Sequence, residues 1–197
     1  WPPAQLRREL ETMHEAADRL SANIGALMDL ARLESDAWEV HRDRYELVEV
    51  IGAAVAAFDR AQRARLVFAI PDELPLLYLD FHQMARALHH LLENALLYAP
   101  DSTPVTIGAS ASGAEVCVWV EDAGPGIPPA EQGRVFDKFF RGAGAAAQVP
   151  TGTGLGLAIT AEIIRRHQGR IRGESVEPHG ARFLITLPRP AQEERPA

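Results

Sequence analysis

The stretch Gly152-Thr153-Gly154-Leu155-Gly156-Leu157 decides how the rest of this 197-residue chain is interpreted. Its alternating glycines open an apolar-striped segment, residues 158–166, that has the pattern of an amphipathic helix. The free backbone amides and dipole of such a helix start attract anions, and glycines let phosphate oxygens reach those amides. The stretch therefore predicts a phosphate-binding helix start, with a closely packed start that binds nothing as the alternative. It is not a P-loop, because Gly-Lys-Ser/Thr is absent.

A second glycine cluster, Asp122-Ala123-Gly124-Pro125-Gly126-Ile127, directly follows a predicted strand at residues 116–120. A carboxylate at a strand end can accept a hydrogen bond from an exocyclic amine, and glycines let a flat ring approach the backbone. The cluster therefore suits a purine. The alternative is an ordinary loop, since such glycine and proline turns are common.

Between the two clusters lies Phe136-Asp137-Lys138-Phe139-Phe140-Arg141, followed by a glycine and alanine run at residues 142–147. An aromatic anchor before such a run is typical of a mobile lid with a fixed hinge. Lys138 and Arg141 would reach a polyphosphate as the lid closes. Alternatively, the phenylalanines are core residues and the two cations are solvated.

A long helix is predicted at residues 81–98, with Asp80 as its N-cap. His90, Asn94 and Tyr98 are spaced four residues apart and therefore share one face. An amide oxygen on that face can bind Mg²⁺, which gains its charged ligands from nucleotide phosphates. A lone asparagine is more often a solvated surface residue, so this prediction depends on the neighbouring motifs.

The remaining pattern predicts short mixed elements. Helices are expected at residues 47–61 and 154–167, and Gly169 ends the second one. A hairpin is expected around Ser112-Gly113. Extended segments or strands are expected at residues 39–45, 66–70, 76–79, 105–109, 115–121, 170–174 and 181–187. Because strands and helices do not alternate as repeated βαβ units, we expect an α+β sandwich.

Near the N-terminus, apolar residues recur in alternating steps of four and three. They are Leu6, Leu10, Met13, Ala17, Leu20, Ile24, Leu27 and Ala31. This spacing is the heptad seam of a coiled coil or helical bundle. It favours a partner helix, and packing of the helix on its own domain is the alternative. The chain lacks an initial Met, so we expect it to be a piece of a longer protein.

Composition excludes several classes of protein. With 20 Lys+Arg against 27 Asp+Glu the net charge is −7, which disfavours binding to nucleic acid or an anionic membrane. The single cysteine, Cys117, forbids an internal disulfide. The longest apolar run, residues 50–58, is shorter than the roughly 18 residues that span a bilayer. Histidines outside the motifs, His167 among them, have no zinc-ligand spacing and are interpreted as ordinary surface or core residues.

In order, residues 91–98, 122–127, 136–141 and 152–157 resemble the asparagine, first glycine, phenylalanine and second glycine boxes of sensor histidine kinases. The resemblance implies a Bergerat-type two-layer α/β sandwich, with a mixed sheet and helices on one face, preceded by the long heptad helix. Residues 1–38 would be the second helix of the dimerisation and phosphotransfer hairpin plus a linker. Residues 39–197 would be the catalytic ATP-binding domain, most similar to potassium-responsive Kdp-type sensors.

This resemblance implies ATP and Mg²⁺ as cofactors. Asn94 is similar to the family's Mg²⁺ ligand, His90 replaces a usual asparagine beside the metal, and Asp122 is similar to the acceptor of the adenine amine. The other expected ATP contacts are Tyr98, Gly124, Gly126, Ile127, Lys138, Arg141, Gly152, Thr153, Gly154, Leu155, Gly156 and Leu157. Leu97 stands where the family commonly has lysine. This departure, like His90, implies weaker nucleotide affinity or slower turnover.

The implied function is histidine phosphotransfer in two-component signal transduction. The γ-phosphoryl group of ATP would pass to a histidine and then, in a phosphorelay, to an aspartate of a response-regulator receiver domain. The family's acceptor motif of histidine, acidic residue, basic residue and proline is absent here. His14 lacks the later residues of that motif and lies on the wrong helix.

The implied partners are a second copy of the chain and a response regulator, with no nucleic acid. The homodimer would form weakly through the N-terminal helix. A membrane would be reached only through upstream segments, which makes this the cytoplasmic domain of a membrane-anchored sensor. Two alternatives remain: a degenerate nucleotide-binding and dimerisation scaffold that signals by protein contacts, and a serine/threonine anti-sigma-type kinase on the same fold.

Overall fold

The computed structural model describes residues 39–142 and 153–189, together with individual residues between 2 and 31. Its elements are β1 (Asp43–Tyr45), α1 (Leu47–Val55), α2 (Arg60–Ala64), β2 (Leu66–Ala69), β3 (Leu77–Leu79), α3 (Phe81–Tyr98), β4 (Val105–Ser112), β5 (Glu115–Glu121), α4 (Gly156–Arg166), β6 (Arg170–Ser175) and β7 (Ala181–Pro188). Residues 143–147 of the predicted lid lie outside the described residues, as do residues 190–197.

The main sheet has five strands in the order β2-β4-β5-β7-β6. β2 is parallel to β4 and all other neighbours are antiparallel, so the sheet is mixed. Side chains alternate across it with a period of two. On β5, Val116, Val118 and Val120 are buried while Cys117 and Trp119 are only partly so. The apolar face packs under α3 and α4, α1 packs against α3, and β1 pairs separately with β3. The predicted α+β sandwich is confirmed.

α3 spans the predicted residues because both ends carry strong stop signals. Asp80 Oδ1 accepts a 3.0 Å hydrogen bond from the backbone N–H of Gln83, which caps the first turn. At the other end, the guanidinium of Arg65 donates to the carbonyl oxygens of Leu96 (3.2 Å), Ala99 (3.2 Å) and Pro100 (2.9 Å). These bonds satisfy carbonyls that the last turn leaves unpaired. The helix that carries His90, Asn94 and Tyr98 is therefore held at both ends.

The single helix predicted at residues 47–61 is wrong, because α1 ends at Val55 and α2 begins at Arg60. A capping box separates them: Asp59 Oδ1 accepts from Gln62 N–H at 2.8 Å, and Gln62 Oε1 accepts from Asp59 N–H at 3.0 Å. The predicted hairpin at Ser112-Gly113 is confirmed, although β4 extends further than expected.

The described residues of the N-terminal segment between positions 5 and 31 are helical, as the heptads predict. Large seam side chains in this set are at least half exposed. They are Leu6, Leu10, Met13, Leu20 and Ile24. These seam side chains are therefore accessible to a partner, whereas packing against residues 39–189 would have buried them. Over the described part of the chain, no helix has both the length and the apolar character needed to cross a membrane.

Candidate functional site

Asp122 lies directly after β5 and is buried beside β7. Its Oδ1 accepts backbone N–H bonds from Gly124 at 2.7 Å and from Ala181 at 3.4 Å. Burial raises the pKa of this carboxyl, and the two N–H donors partly offset that rise. Within the described residues both hydrogen bonds fall on Oδ1. The second carboxylate oxygen is therefore available to a ligand that brings its own donor.

Gly124 brings this loop against the end of α3. A Cβ atom on Gly124 would stand 2.8 Å from Asp122 Oδ1 and 3.0 Å from the carbonyl oxygen of Tyr98, too close for any side chain. Tyr98 is half-buried, and burial raises the pKa of its phenol while the nearby positive charge of Arg141 lowers it. The first glycine cluster, the end of α3 and Arg141 thus meet in one place.

The second glycine cluster opens α4 as the sequence predicts. Among the described residues no side chain caps the start of α4, and Thr153 Oγ1 accepts a 3.3 Å hydrogen bond from the N–H of Leu155, the residue just before the helix. Leu155 is buried in the core and Leu157 packs against it. Their side chains therefore anchor the turn. A phosphate could bind the backbone amides of this turn, although that of Leu155 already donates to Thr153. Gly152 lies outside the described residues.

The phenylalanine segment is attached to the second glycine cluster. The N–H of Phe139 donates a 2.9 Å hydrogen bond to the carbonyl oxygen of Gly154. Phe136 packs edge-on against Phe183 at a centroid distance of 6.1 Å, whereas Phe139 is 61% exposed with a φ of 63°. Phe139 and Gly154, which are separated by residues 140–153 in the sequence, are therefore joined by one backbone hydrogen bond. Lys138 is exposed beside this junction.

His90 joins α3 to the start of α4. A Cβ atom on Gly156 would stand 3.6 Å from His90 Nδ1, so the imidazole packs on that glycine. The side chain is 17% exposed, with Nδ1 3.7 Å from Glu93 Oε2, and no described residue hydrogen-bonds to its buried Nε2. Asn94 lies one turn further along α3 and is half-buried.

The contacts above link all four predicted motifs into one site. α3 contacts the first glycine cluster at Tyr98 and the second at His90, and the phenylalanine segment contacts the second cluster at Phe139. The positive charge of Arg141, at the end of that segment, is near enough to Tyr98 to lower the pKa of its phenol. No described residues form a group of three or more His, Cys, Asp or Glu that could hold a metal.

Two residues that support the site were missed at the level of sequence. Gly180 has a φ of 135°, and a Cβ atom there would stand 2.2 Å from the carbonyl oxygen of Asp122. Ser175, at the end of β6, hydrogen-bonds to Ile127. A glycine directly before a predicted strand was a usable signal for the first. The second has no local signal, because its partner is 48 residues away.

Residues 80–191 match the family described as "Histidine kinase-, DNA gyrase B-, and HSP90-like ATPase". The alginate biosynthesis sensor protein KinB of Pseudomonas aeruginosa is 35% identical over 191 residues, 94% of this chain and 31% of KinB. The sensor protein KdpD of Escherichia coli K12 is 36% identical over 165 residues, 84% of this chain and 18% of KdpD. The expected similarity to Kdp-type sensors is thereby confirmed.

Among solved structures, the mycobacterial sensor histidine kinase MprB is 30% identical with a TM-score of 0.65, covering 75% of this chain and 99% of that one. The chain spans less than a third of the length of the two curated relatives above. The scaffold and the anti-sigma-type kinase are not favoured by these similarities, since the relatives are sensor proteins and a sensor histidine kinase.

Proposed function

This chain belongs to the family of histidine kinase-, DNA gyrase B- and HSP90-like ATPases as a sensor histidine kinase catalytic region, and we propose that its site binds ATP with Mg²⁺ for phosphoryl transfer to a histidine. Residues 39–197 act as the catalytic domain, and residues 1–38 supply the second helix of the dimerisation hairpin and a linker. The observation that carries the proposal is the set of contacts that joins the four motifs around α3.

Asp122 recognises the adenine base in this proposal. Its Oδ1 is occupied by the loop amides, and Oδ2 accepts a hydrogen bond from the exocyclic amine of adenine. Gly124 and Gly126 leave room for the ring, Ile127 gives the loop its apolar anchor, and Tyr98 lies beside the base or ribose. Guanine presents an oxygen in place of the amine, so the same carboxylate rejects it.

The α4 start holds the phosphates. Backbone amides of residues 152–157 approach the phosphate oxygens, because the helix start carries no capping side chain. Lys138 and Arg141, on the segment joined to Gly154, add positive charge next to these amides. In an acidic chain with a net charge of −7, this local concentration of donors is what makes phosphate binding possible.

Mg²⁺ fits the donor set on α3. The side-chain oxygen of Asn94 is a suitable neutral ligand, and nucleotide phosphates and waters complete the coordination. The imidazole of His90, predicted beside the metal, suits Mg²⁺ less well than an oxygen does, so Asn94 supplies the main protein ligand. Bound there, Mg²⁺ neutralises the charge that develops on the phosphoryl group.

The reaction breaks the bond between the γ-phosphorus and the β–γ bridging oxygen and forms a bond from that phosphorus to a histidine nitrogen. ADP leaves, and a receiver-domain aspartate of a response regulator accepts the phosphoryl group next. Most of the rate enhancement comes from positioning and charge neutralisation. The acceptor histidine belongs to a preceding helix, and the N-terminal helix holds two copies together. The whole protein is a membrane-anchored sensor whose catalytic region lies in the cytoplasm.

Calorimetric titration of the chain with ATP tests the proposal. We expect saturable binding in the presence of Mg²⁺, weaker binding in EDTA, and much weaker binding of GTP. GTP is the matched ligand control because it differs at the base and keeps the phosphates. Equal affinity for ATP and GTP, or no ATP binding at millimolar concentration, would contradict the proposed site.

A further inference from the structure

Ser175 makes an unusual pair of contacts with the loop that follows β5. Its hydroxyl accepts a 2.9 Å hydrogen bond from the backbone N–H of Ile127 and donates a 2.8 Å hydrogen bond to the carbonyl oxygen of the same residue. One hydroxyl thus satisfies both backbone groups of Ile127. The loop residue cannot rotate without breaking both bonds.

The end of β6 is shaped to receive this loop. Gly173 and Ser175 are two positions apart and therefore share one face of the strand. A Cβ atom on Gly173 would stand 2.9 Å from Ile127 Cδ1, so the glycine accommodates the buried Ile127 side chain while Ser175 holds its backbone. Gly126, with a φ of 77°, lies over Ser175, since a Cβ atom there would be 3.0 Å from Ser175 Oγ.

Both ends of the loop are attached to paired residues of one hairpin. Asp122 begins the loop and is bonded to Ala181 through its own N–H (2.9 Å to the carbonyl oxygen) and through Oδ1. Ile127 ends the loop and is bonded to Ser175. Ser175 and Ala181 are partners in the β6–β7 register. The distance between the carboxylate of Asp122 and the far end of the loop is therefore set by one residue pair, Ser175 and Ala181, in the sheet.

We propose that Ser175 is a positioning residue for adenine recognition: through Ile127 it holds the loop at the spacing from Asp122 that a purine requires. The proposal rests on the ATP site proposed above. Two of the three hydrogen-bonding positions of the hydroxyl are used inside the protein, so Ser175 acts through the loop rather than as a catalytic residue. Preorganisation of this kind improves affinity by removing the cost of ordering the loop when ligand binds.

The test compares Ser175→Ala, Ser175→Thr and a control, Ser110→Ala, which removes an exposed hydroxyl from β4 far from the loop contacts described. Ser175 is an exposed residue, so we expect the protein to accommodate the added methyl group of threonine. The probes are MgATP by calorimetry, and adenosine and magnesium triphosphate by NMR titration. Exchange of the Ile127 amide with deuterium reports the loop directly.

For Ser175→Ala we expect a roughly fivefold rise in Kd for both MgATP and adenosine, unchanged triphosphate affinity, and faster exchange of the Ile127 amide. Ser175→Thr and Ser110→Ala retain wild-type values. Unchanged ATP affinity in Ser175→Ala would overturn the inference, as would equal weakening by the alanine and threonine variants. An equal loss of triphosphate affinity would also overturn it, because that result indicates general destabilisation. If the wild-type chain binds no ATP, the proposed function fails first.

Discussion

The backbone N–H of Asp80 donates a 2.9 Å hydrogen bond to Nε2 of His167, so the end of α4 is tied to the start of α3. His167 therefore carries its proton on Nδ1, which donates to the carbonyl oxygen of Ile163 at 2.7 Å. The ring is buried and neutral in the folded chain. Because α3 carries Asn94 and α4 begins at the proposed phosphate-binding turn, this bond relates the two halves of the proposed site.

The His167 contact predicts a pH-dependent stability. Burial and the charge of Arg42 lower the pKa of this histidine below its ordinary value near 6.5, outweighing the Ile163 hydrogen bond and the Asp80 charge, which raise it. Between the folded and unfolded pKa values the unfolded chain binds the extra proton, so stability rises with pH there. The contribution is complete above about pH 6.5 and is lost as the pH falls toward the folded pKa.

Thermal melting across pH 5–8 checks this expectation. The wild-type Tm should fall as the solution is acidified below pH 6.5, and His167→Gln should lose that part of the pH dependence. His82→Gln, which removes an exposed histidine from the same region, should keep it. Identical pH profiles for the wild type and His167→Gln would show that His167 does not titrate on unfolding.

Two helices, α3 and α1, show how well local sequence signals predict helix boundaries. α3 was predicted to the residue, and Asp80 was recognised from the sequence as its N-cap. α1 was predicted too long, although Asp59 and Gln62 form a capping box that the sequence contains, because the alanine-rich periodicity continues across it. In this chain the capping box, and not the apolar periodicity, determined where the second helix begins.

The candidate site was predicted from the sequence less completely than the helices. All four motifs were identified from residue types, yet their contacts with one another depend on sheet order and helix packing. The bond between Asp80 and His167 joins residues 87 apart, and Ser175 lies 48 residues from Ile127. No local pattern encodes such pairs, because each joins segments that are distant in the sequence and adjacent only in the folded chain.

Leu97→Lys should tighten ATP binding. Leu97 is 49% exposed on α3, so the alternative that it is a core residue is excluded and a lysine can project from the same position. A cation restored beside the phosphates should improve affinity by about twofold to fivefold, as for a partly solvated charge pair. Calorimetry measures the ATP affinity and thermal melting the stability of the same sample. Val48→Lys adds the same charge at an exposed site on α1 and should change neither quantity. If Leu97→Lys shows no gain in affinity, other residues compensate for the leucine at this position.

Gly154→Ala should impair nucleotide binding by disturbing the junction with Phe139. Gly154 has a φ of 68°, and a Cβ atom there would stand 2.8 Å from backbone atoms of Phe139 and Phe140. Strain of this kind costs about 1–3 kcal/mol, so we expect roughly a tenfold rise in Kd for ATP. Gly133→Ala is the matched control, since open space surrounds its Cβ position. Equal affinities for the two variants would rule out a role for this junction.

Leu20→Asp and Ile24→Asp should each abolish a weak dimer. Both side chains lie on the heptad seam and are 61% and 50% exposed, so a second copy would bury them, at about 1.5–3 kcal/mol per fully buried side chain. Sedimentation over a wide concentration range should show a monomer–dimer equilibrium for the wild type and monomer for both variants, with ATP binding intact. Val48→Asp, outside the seam, should dimerise normally. A strictly monomeric wild type would contradict this interpretation of the heptads.

Asp122→Asn tests the central claim most directly, because asparagine can still accept hydrogen bonds from the amides of Gly124 and Ala181 but loses the charge proposed to recognise the adenine amine. Removing a buried carboxylate should leave Tm unchanged or raise it, since burial already raises the pKa of Asp122. Losing a charge-assisted hydrogen bond should raise the Kd for MgATP about tenfold to hundredfold. Calorimetric titration of both proteins with MgATP is the decisive measurement. A weaker isotherm from a variant that melts no earlier than the wild type is the predicted result, and superimposable isotherms would contradict the adenine site.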